Sequence, residues 1–337
     1  MISKENLKGG VYYFYYTGAN GKRKKKSLRT TDYETALLKA DEIQNNSTSL
    51  NAVRQIISLV EFREWVLNYA KNNHNYGTYQ LYETTFKYLI CFFGENKKIS
   101  EIKTIDIEMF KTERMKFVKP TTVNCYLRKI NASFNLANRF DLINFNPAKK
   151  VTKLREVESQ RKVFNENEFN KLVEAITDKS FKNLVLFGKY TGCRVSELVN
   201  LQWNDINLNE NHIEIRNKEK FTTKTGKNRK IPISVKLIEV ISQMEEGKPD
   251  EFIFLQKHGK KFSKDRATRF TKRYLRKAKL PEYLTFHCLR HTFITNLLRK
   301  GVSIYIVKKL AGHADIKTTE IYAHLVTDDL RGAVNIL

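Results

Sequence analysis

The chain has 337 residues, of which 41% are hydrophobic and 12% aromatic, a composition typical of proteins that fold. Its 61 Lys and Arg residues outnumber its 36 Asp and Glu residues, which gives a formal net charge of +25. The length argues against a single domain of ordinary size, and the short apolar runs exclude a membrane-spanning helix. The charge indicates a polyanionic partner such as nucleic acid.

The start of the chain lacks the pattern of a secretion signal, so we expect a cytoplasmic, nucleoid-associated protein. The four cysteines are far apart in the sequence and form no C-x-x-C pair. We therefore expect reduced cysteines, with neither a disulfide framework nor a zinc site.

Residues 1–46 predict a small module made of a sheet and a helix. The segment V-Y-Y-F-Y-Y at 11–16 predicts an aromatic strand, and a turn separates it from a very basic second strand at 22–29. This basic strand either lies in a DNA groove or forms a solvated hairpin. The candidate DNA-binding residues in it are Lys22, Arg23, Lys24, Lys25, Lys26 and Arg29.

A capping box formed by Thr31 and Glu34 predicts the start of the helix in this module. The helical period predicts that Tyr33, Leu37, Ala40 and Ile43 share one buried face.

Residues 57–147 have helical periodicity throughout and predict an all-α domain. Phe62, Val66 and Tyr69 make one apolar stripe, and Pro120 predicts a helix that runs to about Phe140. In residues 148–162 the apolar period fades and basic residues dominate, which predicts a linker that either contacts DNA or is merely solvated. The candidate DNA-binding residues here are Lys149, Lys150 and Lys153.

Residues 163–337 predict a mixed but mostly helical domain. Asn165 and Glu168 predict a helix start, and the alternating segments at 212–216 and 229–233 predict two short strands around a polar turn. A helix that includes His287 is predicted to end at Gly301. The fold class is therefore mainly α with small β elements, an α+β multidomain protein.

Three clusters in this last domain have residue types suited to phosphodiester chemistry, which needs a nucleophile, cations and an acid. In the first, T-G-C-R-V-S-E-L, Arg194 can offer a planar fork to two phosphate oxygens and Glu197 lies one turn further on. The alternative for a lone arginine at a helix start is an ordinary surface residue.

The second cluster, H-C-L-R-H, places His287 and Arg290 three residues apart on one helical face. The two could converge on one phosphate. The alternative is a metal pair of His287 and His291, but the zinc-hydrolase pattern requires a glutamate where Cys288 stands.

The third cluster places His313 directly after a glycine and nine residues before Tyr322. For a single tyrosine, packing with a satisfied hydroxyl is the ordinary alternative to a nucleophile.

Together, the patterns T-G-x-R-x-S-E-L, H-x-L-R-H and G-H-x8-Y, in this order, resemble the tyrosine recombinase and phage-type integrase family. The resemblance covers residues 163–337 closely and the preceding regions more loosely. It implies a catalytic domain at 163–337, a helical core-binding domain at 57–147 and an arm-type DNA-binding module at 1–46.

The resemblance also implies a role for each site residue. Arg194 and Arg290 hold the scissile phosphate, His313 donates a hydrogen bond, and His287 assists proton movement near the nucleophile. Tyr322 attacks and becomes a 3′-phosphotyrosine. Lys224 aligns with the lysine that protonates the leaving 5′-oxygen, with Lys227 and Lys220 as alternatives. Glu197 and His291 match supporting positions, and no metal or cofactor is implied.

For partners, the resemblance implies double-stranded DNA with core and arm sites, a tetramer on DNA, and DNA-bending accessory proteins. It further implies a tail that is exchanged between protomers and carries Leu330, Val334, Ile336 and Leu337. The expected function is strand exchange of a mobile element. The alternatives are a Xer-like resolvase or a DNA invertase of the same family, a type IB topoisomerase, and a DNA-binding regulator that does not cut.

Overall fold

The computed structural model describes residues 2–4, 10–17, 23–41, 57–156, 161–219 and 221–322. The chain divides into two compact units, Met1–Glu158 and Ser159–Leu337. Some positions predicted from the sequence fall outside the described ranges: Lys22, Ile43 of the predicted helix face, the alternative acid Lys220, and the tail that follows Tyr322.

The first unit begins with an antiparallel sheet of β1 (Ile2–Lys4), β2 (Tyr12–Thr17) and β3 (Arg23–Ser27), in that order. A helix, α1, covers residues 33–41. Asp32 caps α1, since its carboxylate accepts a hydrogen bond from the backbone N–H of Thr35 at 2.8 Å. The predicted cap, Thr31, was therefore wrong by one residue.

Within the described residues, the predicted buried face of α1 is confirmed at Ala40 and wrong at Tyr33 and Leu37. Ala36 and Ala40 are buried and pack with Phe14 and Leu28 of the sheet region, whereas Leu37 is 47% exposed. The small alanine side chains let the helix approach the sheet closely, so position relative to the strands overrides side-chain hydrophobicity. Tyr33, on the predicted face, is also exposed.

Four helices follow in the same unit, and all have recognisable start signals. They are α2 (Leu59–Asn73), α3 (Tyr76–Phe93), α4 (Thr104–Met115) and α5 (Pro120–Arg139), with a 3₁₀ turn at Ile99–Glu101. Ser58 and Glu61 form a capping box at α2, and Pro120 occupies the first turn of α5 as predicted. In the core, the ring of Phe62 contacts those of Phe86 and Phe134, with ring centroids 5.5 Å and 5.3 Å away.

The second unit is mostly helical and contains a second small sheet. Its helices are α6 (Glu166–Ala175), α7 (Lys179–Thr191), α8 (Val195–Leu198), α9 (Val235–Ser242), α10 (Lys264–Lys277), α11 (Phe286–Arg299), α12 (Ile304–Ala311) and α13 (Lys317–Glu320). The antiparallel strands are β4 (Ile206–Asn207), β5 (His212–Ile215) and β6 (Arg229–Pro232), and 3₁₀ turns lie at Trp203–Asp205 and Lys257–Gly259. The two strands predicted around a polar turn are thus confirmed, as is the capping box of Asn165 and Glu168.

Helix α11 lies at the centre of this unit, packed along α7. Gly188 makes the close approach possible, because a Cβ atom there would lie 3.0 Å from the side chain of Leu289. At the end of α7, Gly192 adopts a left-handed φ of +63°, and a Cβ atom there would overlap the ring of Phe293 at 2.2 Å. The two glycines fix the register between α7 and α11.

The fold class is confirmed as mainly α with small sheets. No helix within the described ranges is both long enough and apolar enough to cross a membrane.

Candidate active site

The start of α8 fixes the first arginine of the site. Arg194 is the N-cap residue, and its backbone N–H donates to Glu197 Oε2 at 2.9 Å. The Arg194 guanidinium donates to the other oxygen of the same carboxylate, Nη1 to Oε1, also at 2.9 Å. Glu197 therefore holds both the backbone and the side chain of Arg194, at the point where the chain leaves Gly192.

Arg290 is the second arginine and lies in the middle of α11, only 2% exposed. Its Nη1 donates to the carbonyl of Gly192 at 2.8 Å and its Nη2 to the carbonyl of Ala311 at 2.6 Å. Burial, followed by the charge of Arg194, lowers the pKa of Arg290 to about 10. The side chain is still charged at neutral pH, so a cation is held at the edge of the core.

The carboxyl end of α12 gathers three guanidinium groups. The carbonyl of Leu310 accepts from Arg229 Nε at 3.0 Å, that of Ala311 accepts from Arg290, and that of Gly312 accepts from Arg194 Nη2 at 3.3 Å. These carbonyls lack partners within the helix, and the helix dipole makes this end negative. The end of α12 is therefore a natural place for cations.

His313 follows this helix end directly. Gly312 is the left-handed C-cap with a φ of +66°, and the N–H of His313 turns back to the carbonyl of Lys308 at 3.1 Å. The ring Nδ1 lies 2.8 Å from Oγ1 of the buried Thr319 on α13, which fixes its orientation. Burial and then the charge of Arg290 lower the pKa of His313 to about 3, so the ring is neutral.

Tyr322 lies against His291. Its hydroxyl is 2.5 Å from Nδ1 of that histidine, and the side chain is 4% exposed among Ile294, Leu298 and Ala311. Burial raises the pKa of Tyr322, while burial and the neighbouring ring of His287 lower the pKa of His291 to about 3. A neutral tyrosine that donates to an unprotonated Nδ1 fits both shifts.

His287 stands one turn before His291, with the two ring centroids 4.6 Å apart. Desolvation and then the charges of Arg290, Arg194, Arg161 and Lys224 lower the pKa of His287 to about 4. His287 is exposed in the protein, so solvent weakens the effects of burial and of the surrounding cations alike. The imidazole nearest to the Tyr322 hydroxyl is thus His291, and His287 is its neighbour.

Lys224 is exposed in the turn between β5 and β6. Asn217 shapes this turn, since its side chain donates to the carbonyl of Gly226 at 2.7 Å and accepts from the N–H of Thr223 at 2.8 Å. The charge of Lys224 acts on His287, so the turn faces the site. Lys227 is exposed in the same turn, and the choice between the two lysines stays a prediction.

Sequence reasoning missed Arg229, although the pattern contained a signal for it. In the alternating segment R-K-I-P-I, Arg229 shares a face with the buried Ile231 and Ile233. An arginine on the buried face of a strand requires an ionic partner, and here that partner is Glu197. Thr319 and Arg161 were also missed: Thr319 occupies an unspecified position within the G-H-x8-Y pattern, and Arg161 lies in the predicted linker.

A cavity of about 790 Å³ lies beside the site, between β6 and α12. It reaches His313 and Gly312, and its rim is basic. The side chains that line it include Thr225, Lys227, Asn228, Lys230, Tyr305, Lys308 and Lys309.

The remaining candidate DNA-binding residues are exposed at two places in the first unit. On the sheet of the first module, the ammonium of Lys25 lies 4.3 Å from the ring centroid of Tyr13. The exposed candidates within the described ranges are Arg23, Lys24, Lys25, Lys26, Arg29, Lys149, Lys150 and Lys153.

Comparisons with known proteins agree on one family. The sequence model described as "Phage integrase family" matches residues 162–328. The tyrosine recombinase XerA of Pyrococcus furiosus is 32% identical over 222 residues, which cover 63% of this chain and 73% of that protein.

Two solved structures have the same fold. One is the integrase of transposon Tn1549 in complex with a circular intermediate DNA, with a TM-score of 0.70, 21% identity, and coverage of 83% of this chain and 100% of that one. The other is a lambda integrase dimer bound to a core site, with a TM-score of 0.69, 18% identity, and coverage of 96% and 94%.

Proposed function

Because this chain belongs to the phage integrase family and is a tyrosine recombinase, an enzyme that breaks and rejoins DNA, we propose that Tyr322 is its nucleophile. The observation that supports this assignment is the 2.5 Å contact between the Tyr322 hydroxyl and His291 Nδ1. Arg290 directly precedes His291 in α11, so the proposed nucleophile, a proton acceptor and a phosphate-binding cation come together.

In the proposed reaction, the phenolic oxygen of Tyr322 forms a bond to the scissile phosphorus and its proton passes to the histidine pair. The guanidiniums of Arg194 and Arg290 neutralise the phosphoryl oxygens as charge develops, and His313 donates a further hydrogen bond. The bond from phosphorus to the 5′-oxygen breaks, and that oxygen takes a proton from Lys224. The products are a 3′-phosphotyrosine and a free 5′-hydroxyl.

Rejoining is the reverse reaction with a different strand. The 5′-hydroxyl of a second strand attacks the phosphotyrosine and releases Tyr322. Each step exchanges one ester bond at phosphorus for another, so no phosphoester is lost to hydrolysis. Exchange between two duplexes breaks four strands, and each protomer supplies one nucleophile, so we propose four protomers on the DNA. Burial and the neighbouring positive groups lower the pKa of His291 in the protein without DNA, and we expect an incoming phosphate to offset those charges and make the ring a better base.

The proposal is tested with a nicked suicide substrate, in which the cleaved strand diffuses away and the covalent complex accumulates. The wild-type protein should give a protein-DNA band on a denaturing gel, and Tyr322→Phe should give none. Tyr305→Phe is the matched control: Tyr305 is 73% exposed in the same unit, so it is the more accessible tyrosine, yet its loss should leave the band intact. An undiminished band from Tyr322→Phe rejects the assignment.

We assign residues 1–46, 57–147, 148–162 and 163–337 to an arm-type module, a core-binding domain, a basic linker and a catalytic domain. The boundary between the two compact units falls inside this linker. A module with the exposed cations of β3 at its surface favours an integrase of a mobile element. The arm-type role is tested by Lys24→Gln and Lys26→Gln, which should weaken binding to arm DNA and leave core-site binding unchanged.

A Xer-like resolvase is the second candidate, supported by the similarity to XerA. The two functions differ in their substrates. Efficient recombination between two minimal core sites without arm DNA would favour the resolvase, whereas a requirement for arm DNA would favour the integrase. Relaxation of supercoils without strand exchange would favour a type IB topoisomerase. The absence of a covalent protein-DNA band would favour a DNA-binding regulator that does not cut.

A further inference from the structure

Glu197 is a buried carboxylate shared by two arginines. Its side chain is 1% exposed. Arg229 binds this carboxylate through its two terminal nitrogens, with Nη2 2.7 Å from Oε2 and Nη1 3.2 Å from Oε1. Arg194 Nη1 lies 2.9 Å from Oε1. The carboxylate is thus held in a two-point contact by Arg229 and in a single side-chain contact by Arg194.

The way the two arginines share Glu197 matters because this carboxylate is charged. Burial alone would raise its pKa, but the hydrogen bonds and charges of Arg229 and Arg194 bring the pKa below its ordinary value. Glu197 is therefore ionised. Among the described residues, the side chains that bond to this carboxylate are those of Arg229 and Arg194. Without Arg229, the Arg194 guanidinium would be left to satisfy the carboxylate instead of a phosphate.

Arg229 also connects three elements that carry site residues. It stands on β6, just after the turn with Lys224, and reaches α8 through Glu197 and α12 through the carbonyl of Leu310. The Arg229 side chain passes close to the backbone of Gly312, since a Cβ atom on Gly312 would lie 3.0 Å from the Arg229 guanidinium. The side chain of Arg229 is 9% exposed, and all three of its nitrogens make contacts within the protein.

We propose that Arg229 is a positioning residue that neutralises Glu197 and so keeps the Arg194 guanidinium available for the scissile phosphate. In this role it acts through Glu197 and Arg194 and not on the reacting atoms, since its three guanidinium nitrogens are bonded within the protein. The proposal rests on the proposed function, since it assumes that Arg194 binds the phosphate during cleavage by Tyr322.

The test measures the rate of covalent complex formation on the suicide substrate at saturating DNA, together with the dissociation constant for the core site. Arg229→Gln should slow cleavage by about 100-fold, the size of effect expected when a transition-state cation is misplaced. Its dissociation constant should change by less than about threefold, because most phosphate contacts lie elsewhere. A rate equal to wild type overturns the proposal.

The decisive variant is the double substitution Arg229→Gln with Glu197→Gln. A glutamine at 197 can still accept a hydrogen bond from Arg194 but has no charge to sequester it. The double variant should therefore cleave at least about tenfold faster than Arg229→Gln alone, a coupling that only contacting residues show. A double variant no faster than the single one overturns the proposal, because a purely packing role gives that result.

Arg229→Lys keeps the proposal testable if the glutamine variant fails to fold. It keeps the positive charge but cannot grip both carboxylate oxygens, so charge neutralisation predicts cleavage within about fivefold of wild type. Cleavage by Arg229→Lys as slow as about 100-fold below wild type, with a folded protein, overturns the proposal. Circular dichroism and thermal unfolding establish folding for each variant.

Arg216→Gln is the matched control. Arg216 also binds a buried carboxylate, Asp205, but has no contact with a site residue. It should lose stability and keep its cleavage rate. Wild-type protein and Tyr322→Phe are assayed in parallel: a missing covalent band in the wild type rejects the proposed function itself, whereas a normal wild type with unaffected Arg229 variants rejects only this inference.

Discussion

Two buried carboxylates in the second unit, Glu197 and Asp205, have nearly the same ionic surroundings and very different neighbours. Each side chain is 1% exposed and each is shared by two cations. Asp205 accepts from Arg216 Nε at 2.7 Å and from Lys218 Nζ at 2.5 Å. Glu197 accepts from Arg194 and Arg229.

The difference lies in where the cations make their other contacts. Around Asp205 they end on Asn204 and on the carbonyl of Asn200, so the cluster is closed and joins the hairpin to the loop after α8. Around Glu197 they end on the carbonyls of α12, next to the proposed phosphate site. Similar ion pairs can therefore stabilise a fold or position a site, and only their neighbours tell which.

The largest expected effect separates the two carboxylates directly. Removing one partner of a buried ion pair costs about 3 kcal/mol, so Glu197→Ala and Asp205→Ala should lower the free energy of unfolding by similar amounts. Cleavage of the suicide substrate should fall by about 1,000-fold for Glu197→Ala, which removes the acceptor that holds Arg194 in position, and by less than about tenfold for Asp205→Ala. Urea unfolding and single-turnover kinetics measure the two quantities. Equal cleavage rates in the two variants would contradict the distinction.

Two glycines provide the next comparison. Gly312 and Gly301 both follow a helix with a left-handed φ, +66° and +76°. An alanine at either position should cost about 1 kcal/mol of stability for the backbone conformation. Only at Gly312 does the new methyl group meet Arg229, so only Gly312→Ala should also slow cleavage, by about 30-fold as the cation network shifts. Gly301→Ala is the control, and slow cleavage by that variant would point to a general loss of order.

The histidines of the site add a pH dependence. Folding lowers the pKa of His291 from its ordinary value of 6.5 to about 3. At a pH between these two values, the unfolded chain binds a proton at His291 that the folded chain does not. Stability should therefore fall as the pH drops below 6.5, by about 2 kcal/mol at pH 5 for a buried histidine of this kind. Urea unfolding at pH 7.5 and pH 5 should show a smaller loss in His291→Asn than in wild type. An identical loss would mean that His291 is not held neutral.

The smallest expected effect concerns the residue after Arg229. Lys230 points to the opposite side of β6, and its pair with Glu210 is 62% exposed on both partners. Exposed pairs of this kind contribute less than about 0.5 kcal/mol, so Lys230→Gln should leave the unfolding transition almost unchanged. Thermal unfolding next to Arg229→Gln would compare two adjacent cations on opposite faces of β6, one buried and one exposed. A shift as large for Lys230→Gln would show that the face is irrelevant.

Elements with local signals were predictable from the sequence. Pro120 begins α5, Asn165 and Glu168 start α6, and Gly301 follows the end of α11, because caps and turns depend on residues close in sequence. The buried face of α1 was not predictable in this way. Its alanines are buried because the sheet lies close to the helix, a tertiary constraint that outweighs the greater hydrophobicity of Leu37.

The site residues also fall into those with a local sequence signal and those whose contacts depend on tertiary packing. The three motifs, through their joint resemblance to the tyrosine recombinase family, identified Arg194, Arg290, His313 and Tyr322 as candidates. The contacts of His291 with Tyr322 and of Arg229 with Glu197 span 31 and 32 residues, and each depends on how separate elements pack. A pattern can name the residue types, but only the folded chain selects which histidine touches the tyrosine.

The helix end that gathers three guanidiniums has a consequence for DNA binding. Free arginine side chains lose conformational entropy when a ligand fixes them, and that loss weakens binding. Here the carbonyls of Leu310, Ala311 and Gly312 already fix Arg229, Arg290 and Arg194. The ordering occurs when the protein folds, so a phosphate that reaches this site meets cations already in place.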